Sequence, residues 1–186
     1  MSHIPSHAKK VFSSKLFEFY EWEQELFDGR KAIFESVRRH GGVQVIPVYD
    51  GKILLSHEEQ PGTPKSYGFI GGRIDSGEDS FSAAKRELLE ETGMVSKDWE
   101  HIDSYSIGGN FSTLSWEVHL YIARGCKKVA EPMLEGGEKI DIVSVDFDEF
   151  FDKVAHPDFR SSRIALELLR MKHQNTLQKF KERIFK

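Results

Sequence analysis

The stretch that most constrains this chain runs from Gly72 to Met94, GRIDSGEDSFSAAKRELLEETGM. Ser76 and Gly77 supply turn chemistry, Asp79 or Ser80 can cap the first orphan amides of a helix, and Gly93 can end that helix after Thr92. At about 100° per residue, Glu87, Glu90 and Glu91 fall on one face with Ala83 above them, and Phe81, Ala84 and Leu88 form an adjoining apolar stripe. Like charges one turn apart repel by a few tenths of a kcal/mol, roughly, per pair, so something must offset the patch. Water can do so on a solvated acidic face. A hard divalent cation does it better, because it takes oxygen ligands and bridges carboxylates to phosphates. Such a cation lowers the pKa of a coordinated water and neutralises charge on a phosphoryl oxygen, so the patch suits diphosphate hydrolysis. No serine or cysteine occupies a Gly-x-Ser-x-Gly elbow, which argues against a nucleophilic triad.

The spacing of Gly72, Glu78, Arg86-Glu87-Leu88, Glu90-Glu91 and Gly93-Met94 resembles the complete signature of the Nudix hydrolases, with no departure at a defining position. That resemblance implies a loop-helix-loop holding Mg²⁺ or Mn²⁺ through Glu87, Glu90, Glu91 and the carbonyl of Gly72. It also implies that Arg86 orients the glutamates, with Glu78 as its salt-bridge partner.

The chain of 186 residues is long enough for one domain with a small appendage, residues 1–40 before a main domain over 41–186. A formal net charge of −4 argues against a general nucleic-acid binder and means that local Lys and Arg must receive an anionic substrate. Cys126 is the single cysteine, which excludes an intrachain disulfide and fits a reducing compartment. No stretch approaches the roughly 20 apolar residues of a membrane span, and the first residues lack a signal-peptide core, so the expected location is the cytoplasm.

Residues 1–9 read as a loose leader. From Val11 to Trp22 the aromatics alternate with a period near two, and a turn at Phe27–Arg30 precedes a second run through Ala32, Phe34 and Val37. This predicts a small antiparallel sheet, against an amphipathic helix over Leu16–Leu26. Strands are expected at Val43–Val48, Lys52–Ser56 after an Asp50-Gly51 hairpin turn, Ser66–Ile70, Ile102–Ile107, Ser115–Ala123 and Ile140–Asp146, with a turn at Gly108-Gly109-Asn110. Asp148–Val154 reads as a helix, and Ser161 or Ser162 can cap a last helix carrying Ile164, Leu168 and Met171. A basic tail follows His173. The pattern predicts an α+β fold, and the resemblance implies a Nudix-type α/β/α sandwich with a mixed central sheet.

The metal box fixes the reaction and leaves the substrate to other residues. The aromatic leader, the run Glu35–Val43 and the loop Leu134–Ile140 are together similar to the ADP-ribose and nucleoside-diphosphate-sugar pyrophosphatase branch. In that branch the leader helps build a homodimer with the substrate near the subunit boundary. By this resemblance Glu138, or Glu135 on the same loop, is the candidate general base. Arg38 or Arg39 is expected to contact phosphate, and Trp22, Phe34 or Tyr20 to stack on a base. The approach to the box, Gly68-Phe-Ile-Gly-Gly72, is closer to Nudix enzymes acting on nucleoside triphosphates, which keeps a triphosphate pyrophosphohydrolase open. A non-catalytic nucleotide-sensing module is the alternative of a different class.

Overall fold

The computed structural model describes residues 4–107, 113–134, 136–137 and 139–186. The leader folds as sheet: β1 (Lys9–Ser13), β2 (Phe17–Glu25) and β3 (Lys31–Arg39) form an antiparallel meander. Gly29 takes φ +82° at the β2–β3 turn, and the Leu26 N–H donates to the Arg30 carbonyl across it at 2.7 Å. The period-two alternation therefore decides the conformation, and Trp22 lies opposite Phe34 in the register. Two details differ from expectation. Ile4 is buried although the first residues read as loose. The sheet is also closed by a fourth strand from far along the chain, β9 (Leu114–Ser115), parallel to β3. Two residues of pairing carry no periodicity, so a strand this short leaves no sequence signal.

The central sheet holds β4 (Gly42–Tyr49), β5 (Lys52–Glu59), β6 (Ser66–Gly68), β8 (Asp98–Ser106), β10 (Glu117–Arg124) and β12 (Lys139–Val145). Its order is β12-β5-β4-β10-β8 with β6 added on β5, and it is mixed because β4 and β10 run parallel. The β4–β5 hairpin turns on Asp50 and Gly51, both at positive φ as a two-residue turn of this hand requires. The expected strand Ser115–Ala123 is in fact two: Ser115 pairs in the leader sheet, and the chain enters the central sheet after Trp116. A small pair, β7 (Met94–Val95) and β11 (Lys127–Lys128), lies beside it. The expected turn at residues 108–110 falls outside the described residues.

Strand alternation sorts the core into two layers. Val43, Val45, Tyr121 and Ala123 face α1 (Ser80–Thr92), which buries Ala83, Ala84 and Leu88 against them. Ile46, Val48, Val118, Leu120 and Ile122 face the opposite layer, made of α2 (Phe147–Ala155), α3 (Ser162–His173) and α4 (Leu177–Phe185). The molecule is thus an α/β/α sandwich. Leu88 is fully buried, and burial of a leucine side chain contributes about 2 kcal/mol. Phe81, expected in the apolar stripe, stays partly exposed yet packs edge-on against Trp99, with ring centroids 5.5 Å apart.

The tail after His173 is a helix. α4 buries Phe180 and Ile184, and the buried Arg124 donates to the Arg183 carbonyl at 2.6 Å while pairing with Glu100. Apolar residues four apart supply the signal; the basic residues between them masked it. Among the described residues no helix is long and apolar enough to cross a membrane.

Candidate active site

The box is built as its sequence dictates. The Asp79 carboxylate accepts from the Phe81 and Ser82 N–H groups at 3.0 Å each, opening α1, and Gly93 closes it at φ +68° with its N–H on the Leu89 carbonyl at 2.8 Å. Residues 70–74 run beside β4. The Val45 N–H donates to the Ile70 carbonyl at 2.7 Å, and the Val43 N–H to the Gly72 carbonyl at 2.9 Å. Gly71 takes φ +141°, where a Cβ would lie 2.2 Å from the Val43 carbonyl oxygen. At Gly72 a Cβ would lie 2.5 Å from Glu87 Oε1, so the missing side chain is the space this carboxylate occupies.

Arg86 is the hub. Its Nε and Nη2 donate to the two Glu78 oxygens at 3.1 and 3.0 Å, giving the expected pair, and Nη2 also reaches the Arg73 carbonyl at 2.8 Å. Nη1 lies between Glu87 Oε1 at 2.8 Å and Glu90 Oε2 at 3.0 Å. The Glu78 carboxyl is held below the usual range, first by the Arg86 hydrogen bond, and the Arg86 guanidinium is raised well above its ordinary value by the same contact. Glu91 is buried and accepts from the Gly71 N–H at 3.2 Å.

The three glutamates thus share a face but not a point: among the described residues no three carboxylates or imidazoles converge at ligand spacing. The donor set nonetheless fits a hard divalent cation, since it offers only oxygen, and Gly72 leaves the Glu87 carboxylate room beside its carbonyl. These residues and Asp75 line a cavity of about 210 Å³, closed by Lys15, Met133 and Leu134.

A second cavity, of about 450 Å³, adjoins it through Gly71, Gly72, Arg73 and Glu91. Arg39, Arg160 and Arg163 bring positive charge to it, and Trp116 and Phe69 give it apolar wall. The Arg39 guanidinium stacks on Trp116 at 4.0 Å from the ring centroid. Burial, and secondly the Arg73 charge, push Arg39 below its ordinary pKa, so an anion between these two arginines relieves a repulsion. Arg160 pairs with Glu58, and Arg163 with Glu167 at 3.1 Å.

Of the sequence candidates, Arg39 thus lines the cleft beside the box. Arg38 points elsewhere, donating to the Tyr20 hydroxyl at 3.0 Å and lying 3.6 Å from Glu18. Trp22 and Phe34, ring centroids 6.0 Å apart, lie on the leader sheet and line neither cavity. Glu138 and Glu135 lie outside the described residues. Sequence reading missed Trp116, Arg160, Arg163, Arg73 and Lys15. Arg73, inside the box, was the one within reach; the others join the site only through long-range pairing.

A mixed sheet between helical layers, with a loop-helix-loop of this composition at its edge, defines the Nudix class. Consistent with that, the model of the NUDIX domain matches residues 38–166, and the chain belongs to this family. Membership of this family, with relatives named as hydrolases and pyrophosphatases, supports a pyrophosphatase, a hydrolase acting on phosphoanhydride bonds. Among curated relatives it is 27% identical to a methanol dehydrogenase activator of Bacillus methanolicus, covering 92% of this chain and 93% of that one. It is 28% identical to the ADP compounds hydrolase NudE of Escherichia coli K12, over 84% of each chain. It is 25% identical to an ADP-ribose pyrophosphatase of Bacillus subtilis 168, over 91% of this chain and 92% of that one. The crystal structure of an ADP compounds hydrolase superposes with a TM-score of 0.70 at 25% identity, over 92% of this chain and 95% of that one.

Proposed function

We propose that this protein hydrolyses the diphosphate of ADP-ribose or a related nucleoside diphosphate sugar, giving a nucleoside monophosphate and a sugar phosphate. The observation that carries the reading is the continuity of the acidic box cavity with the arginine-lined cleft through Gly71, Gly72 and Glu91. A cleft of about 450 Å³ lies in the range that takes a small ligand, and its guanidinium groups suit phosphate oxygens. Relatives named for hydrolysis of ADP compounds and ADP-ribose support the same substrate class.

Glu87, Glu90, Glu91 and the Gly72 carbonyl would hold Mg²⁺ or Mn²⁺, which when bound activates water and neutralises phosphoryl charge. Arg86, tied to Glu78, keeps Glu87 and Glu90 in place. Arg39 orients the diphosphate against the box, with Trp116 behind it. Glu138, with Glu135 as the alternative, is the proposed general base. Met133 and Leu134, which begin that loop, line the box cavity, and the Met133 N–H donates to the Glu90 carbonyl at 2.7 Å.

Residues 1–40 serve dimerisation and substrate binding, and residues 41–186 carry the hydrolase domain. The leader exposes Phe12, Phe19 and Ile33 on one face of its sheet and Phe34 beside Trp22 on the other, and apolar exposure of this kind supports a homodimer, with Trp22 and Phe34 near the boundary. The buried Cys126, whose thiol burial pushes up to about 11, supports a reducing, cytoplasmic setting without a reactive thiol.

The test is a hydrolysis screen with Mg²⁺ and Mn²⁺ over ADP-ribose, other nucleoside diphosphate sugars and nucleoside triphosphates, with products identified by mass. Release of a monophosphate pair, lost with a chelator and in Glu91→Gln, is the expected result. Turnover of triphosphates alone favours the second reading, to which the Gly68–Gly72 approach points.

A further inference from the structure

The hairpin that joins β1 to β2 ends in the three residues Ser14, Lys15 and Leu16. It is pinned from both sides. The Ser14 N–H donates to the Phe17 carbonyl at 2.8 Å, and the Phe17 N–H donates to the Ser14 hydroxyl at 3.1 Å. Lys15 at its tip lines the cavity of Glu87, Glu90 and Glu91, although more than seventy residues separate it from them.

The other cations of that cavity are already engaged. Arg73 pairs with Asp75 at 3.2 Å, and Arg86 with Glu78, Glu87 and Glu90 at 2.8–3.0 Å. Among the described residues Lys15 makes neither an ion pair nor a hydrogen bond, so its three ammonium donors are open. The carboxylates around it face Arg86 and the Gly71 N–H instead. An unengaged ammonium beside a diphosphate-binding cleft is placed for a ligand that brings its own anionic oxygens.

We propose that Lys15 is a substrate-binding residue that contacts a substrate phosphate at the box, so that the leader forms part of the active site within a single chain. This rests on the diphosphate-hydrolase reading above. A lysine serves phosphate as a point charge on a flexible stem, so it adds affinity for the phosphates without fixing the base or the sugar.

The test uses the full chain and its Lys15→Met and Lys15→Arg variants, with Mg²⁺ present. Calorimetry measures ADP binding, and steady-state hydrolysis of ADP-ribose is followed at low and high salt. In Lys15→Met the Kd for ADP and the KM rise about tenfold, with kcat changed by less than about threefold. Lys15→Arg recovers most of the loss, and the gap between wild type and Lys15→Met narrows as salt screens the contact. Thermal midpoints stay together, since Lys15 is exposed at a hairpin tip. Unchanged Kd and KM in Lys15→Met overturn the proposal, as does a loss that Lys15→Arg does not recover. Wild type that binds ADP through Lys15 but cleaves no diphosphate sugar overturns the substrate reading and leaves this contact standing. Wild type that neither binds nor cleaves overturns both.

Discussion

At the scale of single residues, Gly71 and Gly72 stand side by side for different reasons. Gly71 serves the fold: its φ of +141° and a Cβ 2.2 Å from backbone mean that Gly71→Ala strains the strand pairing. That variant is expected to lose about 3 kcal/mol, read from the denaturant midpoint. Gly72 leaves room for a carboxylate of the proposed metal site, because its Cβ would meet the movable end of Glu87 at 2.5 Å. Gly72→Ala is therefore expected to unfold near the wild-type temperature while hydrolysis falls about 100-fold, the cost of moving one carboxylate by an ångström. Arg86 gives a third case. Lysine cannot reproduce a fork that serves Glu78, Glu87 and Glu90 together, so Arg86→Lys is expected to weaken Mn²⁺ binding about 10–100-fold by titration calorimetry.

At the scale of elements, α4 is held by a charge arrangement that pH can undo. Glu100 pairs with Arg124 and with Arg183, and its carboxyl is held below its ordinary value of 4.5, first by the Arg124 hydrogen bond. A depressed carboxylate stabilises the fold above its unfolded pKa, and the contribution is lost as pH falls through the folded value. Wild type is thus expected to melt above Glu100→Gln at neutral pH, with the difference closing as pH falls below the ordinary carboxylate value of 4.5 in scans across pH. The elements themselves were mostly legible. Asp79 and Gly93 bound α1 as their chemistry dictates, and Asp50-Gly51 makes its hairpin. What was not legible depends on partners distant in sequence. β9 exists only because β3 is beside it, and α4 because Arg124 and the sheet offer it a seat. The box was legible for the same reason that α1 was, since its groups sit within one local span. The cleft was not, because Trp116 and the Arg160–Arg163 stretch come from two distant segments that only the finished fold unites.

At the scale of the whole molecule, the leader sheet exposes Phe19 and Ile33 on one face and Phe34 beside Trp22 on the other, and the proposed homodimer would cover part of this surface. Light scattering is expected to give twice the 21.4 kDa chain mass, and Ile33→Asp with Phe34→Asp is expected to return it to one. The sheet is also bound to the rest of the molecule by two neighbouring strands rather than one. β3 passes into β4 and β9 into β10; β3 lies beside β9, and β4 beside β10. This doubled crossing bears on recombination between relatives. A chimera that grafts another leader up to Arg39 keeps the host residues at 114–115, and the two halves of one ladder then come from different parents. Grafts that carry both segments are the ones that should yield folded protein.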